Sequence, residues 1–213
     1  MANGDRFFLT SARPSITSKK NQRASCEDWQ GARKTNIQNV NSVTLNKEQL
    51  QWCYKKAWER YNKYLGNTGE RYHNTDHGHR LGYVGELAVY YFLHRNGVPD
   101  VQAHFHEDDR LPDITARGRD IEVKTWTDHN WDFYGRCIAE AQLPLIQNKH
   151  YIIWATTPHL PDEVEDNHTV TIKGYSLPVD FENMQPKNMG PRQILNRQVN
   201  GVRDIGILLG NLR

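Results

Sequence analysis

Asp113, Glu122 and Lys124 lie within one short segment, residues 111–126, LPDITARGRDIEVKTW, and their types suit phosphoryl transfer. Suppose Arg117-Gly118 forms a two-residue hairpin turn, with Gly118 at positive φ. Residue 116 then pairs with 119, 115 with 120, 114 with 121 and 113 with 122. Asp113 stands opposite Glu122 on one face, with Cβ atoms about 4.5–5.5 Å apart. Lys124 follows on the same face, about 6.6 Å along the strand. Ile114, Ile121 and Val123 point the other way and predict a core. Two facing carboxylates repel unless a cation lies between them, and Mg²⁺, which takes oxygen ligands at about 2.0–2.1 Å, suits that gap. Lys124 can reach both an attacking water and a scissile phosphate, while the metal lowers the water's pKa and offsets charge developing on the phosphate. The plainer alternative is an amphipathic hairpin whose wet face happens to carry Asp, Glu and Lys.

A second element supplies a further acid. A helix is expected over residues 80–96, with Gly97 as its stop and Leu81, Val84, Ala88, Tyr91 and Phe92 as its core face. Glu86 is the only acid in that span, within LGYVGELAVYYF. A carboxylate among apolar neighbours is costly unless it meets a cation or donor. A metal shared with Asp113 would satisfy it; a place on the helix's polar side would do so equally.

Other elements must position these residues. A helix begins after Asn46, which with Gln49 makes a capping box, and Leu50, Cys53, Ala57 and Tyr61 follow helical spacing. Lys56, Arg60 and Lys63 form a basic stripe on that helix, able to track phosphates or simply to face solvent. Residues 67–79 read as a polar loop with three histidines. His73, His77 and His79 beside Asp76 admit a metal-site reading, although no clear fourth ligand is evident. Strands are expected around 101–105, 111–116 and 121–126, a helix over 133–146, and strands at 150–156 and 168–175. Arg136 and Gln142, on the helix after the site, are candidate contacts to phosphate or DNA. The order gives an α/β domain with a mixed central sheet, spanning 46–213 with its catalytic core near 80–156.

The charge distribution points to a polyanion. The 213 residues carry 27 Lys+Arg and 25 Asp+Glu, a net +2, but residues 1–80 hold 14 basic and 7 acidic side chains and the remainder 13 and 18. Residues 1–45 read as an extended basic arm joined to a carboxylate-bearing catalytic part. No apolar run reaches the roughly 18–20 residues that span a bilayer, and three widely spaced cysteines give no disulfide framework, so a cytoplasmic, intracellular protein is expected.

Pro112-Asp113 followed by Glu122-Val123-Lys124, with Glu86 on the preceding helix, resembles the PD-(D/E)XK nuclease superfamily, which includes restriction endonucleases, recombination nucleases and junction resolvases. The resemblance covers about residues 80–156. It implies a restriction-endonuclease-like core with a four-stranded mixed sheet, one or two Mg²⁺ ions (Mn²⁺ as a substitute), and hydrolysis by activated water without a covalent intermediate. The implied metal ligands are Asp113, Glu122, Glu86 and the backbone carbonyl of Val123. The expected activity is that of an endodeoxyribonuclease on duplex DNA, restriction- or homing-like. A structure-selective enzyme such as a Holliday junction resolvase and a non-catalytic DNA-binding protein remain alternatives. Cutting both strands of a duplex favours a homodimer.

Overall fold

The computed structural model describes residues 41–64, 75–105, 111–190 and 193–213. Most of the expected basic arm, residues 1–40, lies outside the described residues, as do His73 and most of the polar loop. The end of that arm is not an arm: β1 (Ser42–Asn46) pairs antiparallel with β7 (Asn167–Ser176). Val43 and Leu45 drive the difference, because alternate positions of a five-residue run bury against the core.

Two long helices follow. Asn46 and Gln49 exchange backbone-to-side-chain hydrogen bonds of 2.8 and 2.9 Å, the expected capping box, and start α1 (Lys47–Tyr64). α2 (Asp76–Arg95) begins four residues earlier than its apolar periodicity indicates, because Thr75 caps it by accepting the Gly78 N–H at 3.0 Å. His77 and His79 therefore lie on a helix and not in a loop.

The strands β2 (Gln102–Ala103), β3 (Ile114–Ala116), β4 (Arg119–Thr127) and β6 (Tyr151–Thr157) complete a six-stranded sheet in the order β1-β7-β6-β4-β3-β2. Only β4 and β6 run parallel, so the sheet is mixed, as expected, and two strands wider than a four-stranded core. One face, carrying Ile114, Ile121, Val123, Ile153, Val170 and Ile172, packs with α1, α2 and α6 (Ile205–Leu212) in the main core. The opposite face carries Ile152 and Trp154 into a smaller core with Trp131, Ile138, Ile146 and Phe181.

That smaller core is built by the segment expected as one helix over 133–146. It is instead α3 (Asp128–Tyr134), β5 (Cys137–Ala139), a single 3₁₀ turn and α4 (Leu143–Ile146). Gly135 and Arg136 break the helix, Arg136 with φ 62°, and Pro144 sits in the first turn of α4. β5 then joins β8 (Lys187–Met189) and β9 (Ile194–Gln198) in a separate three-stranded sheet, order β5-β9-β8, while α5 (Val179–Glu182) precedes β8. Arg136 and Gln142 consequently do not share a helix.

Candidate active site on the β3–β4 hairpin

The hairpin register is the expected one. Ala116 pairs with Arg119, Thr115 with Asp120 and Ile114 with Ile121. Arg117 and Gly118 both take positive φ, 48° and 69°, which matches the twist of a two-residue turn. The ladder stops one pair short of Asp113 and Glu122. Asp113 leaves the strand and its Oδ2 accepts the Val123 N–H at 2.7 Å, in a site where Asp113 is only 6% exposed. Its carbonyl accepts the His104 N–H at 2.9 Å, so the residue is anchored on both sides. The N–H and C=O of one strand residue project to the same edge. The Val123 carbonyl thus faces the edge that β3 vacates, beside Asp113.

Glu122 and Lys124 emerge on the other face of β4 from Ile121 and Val123. The Lys124 ammonium donates to Glu122 Oε1 at 2.6 Å, with the two side chains 24% and 17% exposed. Burial is the largest single influence on Lys124 and favours loss of its proton. The charges of Glu122 and Asp113, the Glu122 hydrogen bond and the charge of Glu86 outweigh it, holding the lysine above its ordinary pKa. Lys124 therefore keeps its charge, with Glu122 as its bonded partner.

Glu86 arrives from the helix layer, on the far side of the sheet. It is 2% exposed on α2, among Tyr83, Val84, Leu87 and Val89. Its charge helps push up the pKa of Cys53, whose main influence is burial, and of Tyr83, again mainly through burial. A close approach puts it there. A Cβ on Gly85 would fall 1.7 Å from Thr125 Oγ1 and 2.8 Å from Thr125 Cβ, so glycine alone lets α2 press onto β4.

Among the described residues, no three His, Cys, Asp or Glu side chains stand close enough to share a metal ion. The donor set nonetheless fits a hard cation in kind, being carboxylates and a backbone carbonyl. Glu122 bonds Lys124 through Oε1, which leaves Oε2 able to reach a cation.

The other expected contacts are dispersed. On α1, Lys56 pairs with Glu59 at 3.0 Å, while Arg60 and Lys63 both lie over the Tyr64 ring, at 5.2 and 5.1 Å. Arg60 also hydrogen-bonds Tyr83. Gln142 is half-buried at the end of the 3₁₀ turn. His77 stacks on His159, ring centres 5.3 Å apart, and burial followed by the His159 charge lowers its pKa. Two cavities, of about 190 and 570 Å³, lie beside α5 and Arg197 or Arg203, and neither includes a hairpin carboxylate. The residue that spacing alone missed is Lys173, from β7, which lies over the Trp131 ring, as does Arg136. Only the exposed alternation of β7 marked Lys173 as outward-facing. No protein-family model, curated protein or solved structure matches the chain.

Proposed function

We propose that the chain is a divalent-metal-dependent endodeoxyribonuclease with a restriction-endonuclease-like core, hydrolysing DNA phosphodiester bonds at the β3–β4 hairpin. One observation carries the reading: buried Asp113, held by the Val123 N–H, and the bonded Glu122–Lys124 pair come together on one hairpin. A carboxylate costs several kcal/mol to take out of water without a partner, and Asp113, 6% exposed, is held against β4 by the Val123 N–H. Asp113, the Val123 carbonyl and Glu122 would hold Mg²⁺ or Mn²⁺, with Glu86 contributing from the helix side. A bound ion would activate water and stabilise the negative charge that develops on phosphorus-bound oxygens. Lys124, whose ammonium has three donors and bonds Glu122 with one, is then placed to touch the attacking water and the phosphate. Asp113 is kept in position by its bond to Val123, and the α1 stripe offers a second contact to the DNA backbone.

The test is cleavage of supercoiled plasmid with Mg²⁺, Mn²⁺ or EDTA. Wild type should cut only with metal. Asp113→Ala and Glu122→Ala should abolish cutting, and Lys124→Ala should slow it about 10²–10³-fold, with circular dichroism unchanged in all three. Wild-type turnover in these variants would remove the hairpin from the chemistry. Failure of the wild type on duplex, branched and single-stranded DNA with either metal would overturn the reading.

A further inference from the structure

Two cations gather on one tryptophan beside the hairpin. The Arg136 guanidinium lies 5.5 Å from the centre of the Trp131 ring, and the Lys173 ammonium, from a different strand, 5.8 Å from it. The backbone is shaped to achieve this. A Cβ on Gly135 would meet Trp131 O at 2.3 Å and Trp131 Cε3 at 2.6 Å, so only glycine passes that close. Arg136 then takes φ 62°, a left-handed conformation that costs a non-glycine residue roughly 1–2 kcal/mol. On β7, a register shift opposite Trp154 and Ala155 leaves Lys173 between the paired residues Ile172 and Gly174.

Neither cation is neutralised. Among the described residues Arg136 and Lys173 form no ion pair, and the buried Nε of Arg136 has no hydrogen-bond partner. The neighbouring arginines behave differently: Arg197 grips Glu140 with two 2.7 Å bonds, and Arg203 grips Asp180 with two. Contact with an aromatic face contributes about 0.5–1 kcal/mol per cation at exposed sites and leaves the charge in place. An anion with several acceptor oxygens would fill the gap, and the guanidinium fork matches phosphate.

The location of the two cations, beside the hairpin face, suits a polymeric anion. Trp131 packs on Trp154, ring centres 6.3 Å apart, and Trp154 is the ladder neighbour of Lys124. Trp154 pairs in turn with Gly174, next to Lys173. Lys124 and the Arg136–Lys173 pair therefore occupy the same face of the sheet, two strand spacings or about 10 Å apart. A DNA strand carries one phosphate per nucleotide, so a strand that contacts Lys124 brings a neighbouring phosphate within reach of the pair.

We propose that Arg136 and Lys173, assembled on Trp131, form a clamp for the nucleic-acid phosphodiester backbone, holding the strand next to the hairpin carboxylates. The substrate-positioning role rests on the nuclease reading of those carboxylates.

The test is binding of a fluorescein-labelled 20-base-pair DNA duplex by anisotropy in EDTA, from 50 to 200 mM NaCl. Wild type is compared with Arg136→Gln, Lys173→Gln, the double variant and Arg136→Lys. Losing both contacts should reduce the steepness of log K against log salt by about 1.8 and weaken binding about ten- to a hundredfold at 0.1 M salt. Arg136→Lys should retain most of the slope. Matched melting temperatures guard against misfolding, and Lys173→Gln, at an exposed strand position, keeps the test valid if Arg136 variants fold poorly. A folded double variant with unchanged slope would overturn the clamp, and plasmid cutting by the wild type would then leave the nuclease reading standing. Slope loss without cutting on any DNA would keep the clamp and remove the nuclease. A wild type that neither binds nor cuts DNA would remove both.

Discussion

On one face of β4, Ile121, Val123 and Thr125 lie under α2; on the other, Glu122 and Lys124 keep part of their surface in water and face Trp154 and the smaller core. The covered face is apolar and closely packed. The charged face holds the bonded Glu122–Lys124 pair, with Asp113 at the strand edge and Glu86 on the covered side. A strand has period two, so a slip of one residue would exchange the faces completely. Burial of Ile121 and Val123 therefore fixes where Glu122 and Lys124 stand. The apolar half of the strand sets the precision of the charged half.

The strongest way to break this arrangement is to separate α2 from β4. Gly85→Ala should destabilise the chain by about 1–3 kcal/mol, because the new Cβ collides with Thr125. Alanine normally stabilises a helix interior relative to glycine by about 0.8–1 kcal/mol, and Gly82→Ala, whose nearest contact is Glu86 Oε1 at 3.8 Å, should show that ordinary gain. Opposite signs in urea melts of the two variants would locate the constraint at the helix–strand contact. Thr125→Ala should recover part of the Gly85→Ala loss; equal losses with and without it would place the strain elsewhere.

A smaller effect compares the cations on the two sides of the sheet. The α1 stripe belongs to the helix layer and is partly engaged already, Lys56 with Glu59 and Arg60 with Tyr83. Replacing Lys56, Arg60 and Lys63 together with Gln should flatten the salt dependence of DNA binding by less than the Arg136–Lys173 double variant does. Each phosphate contact is worth about 0.9 in slope. A larger loss from the stripe would move the main backbone contact to the helix side.

How much of this was legible in the sequence follows from how local each constraint is. The β3–β4 hairpin was readable because its turn, alternation and register all lie within fifteen or so residues. The Asn46–Gln49 cap was readable for the same reason. Asp113 departed from its expected pairing because its side chain found the Val123 N–H, a choice that pattern alone does not rank. The segment after β4 was misread because Phe133, Cys137 and Ile138 have helical spacing, whereas β5 is recruited by β9, some sixty residues later. Such pairing leaves no local trace. Lys173 was missed on the same ground: its approach to Trp131 depends on a register shift in β7. The position of Glu86 was legible as an anomaly, one acid in an apolar helix, but its depth beside β4 depends on how closely Gly85 lets the helix settle on Thr125.

The covered face also has a weak end, and acid should find it first. His168 begins β7, is 4% exposed, and shares a hydrogen bond between Nε2 and Thr157 Oγ1. Its Nδ1 is 3.9 Å from the exposed Glu165. Burial, the largest influence, lowers the His168 pKa, and the charges of Glu165 and Asp128 only partly oppose it. The folded pKa thus lies below the unfolded value of about 6.5. Between the two the unfolded chain binds more protons, so this contribution is complete above about pH 6.5 and declines as pH falls toward the folded pKa. The melting temperature should therefore drop between pH 7.5 and 5.5, and His168→Gln, which retains a hydrogen-bonding group for Thr157, should drop less. His77 titrates in the same sense through its own burial, so the diagnostic quantity is the difference between variant and wild type. Equal drops would show that the His168 end of the covered face does not sense pH. A smaller drop in the variant would show that the apolar half of the sheet, and not the carboxylate-bearing half, sets the acid limit of the fold.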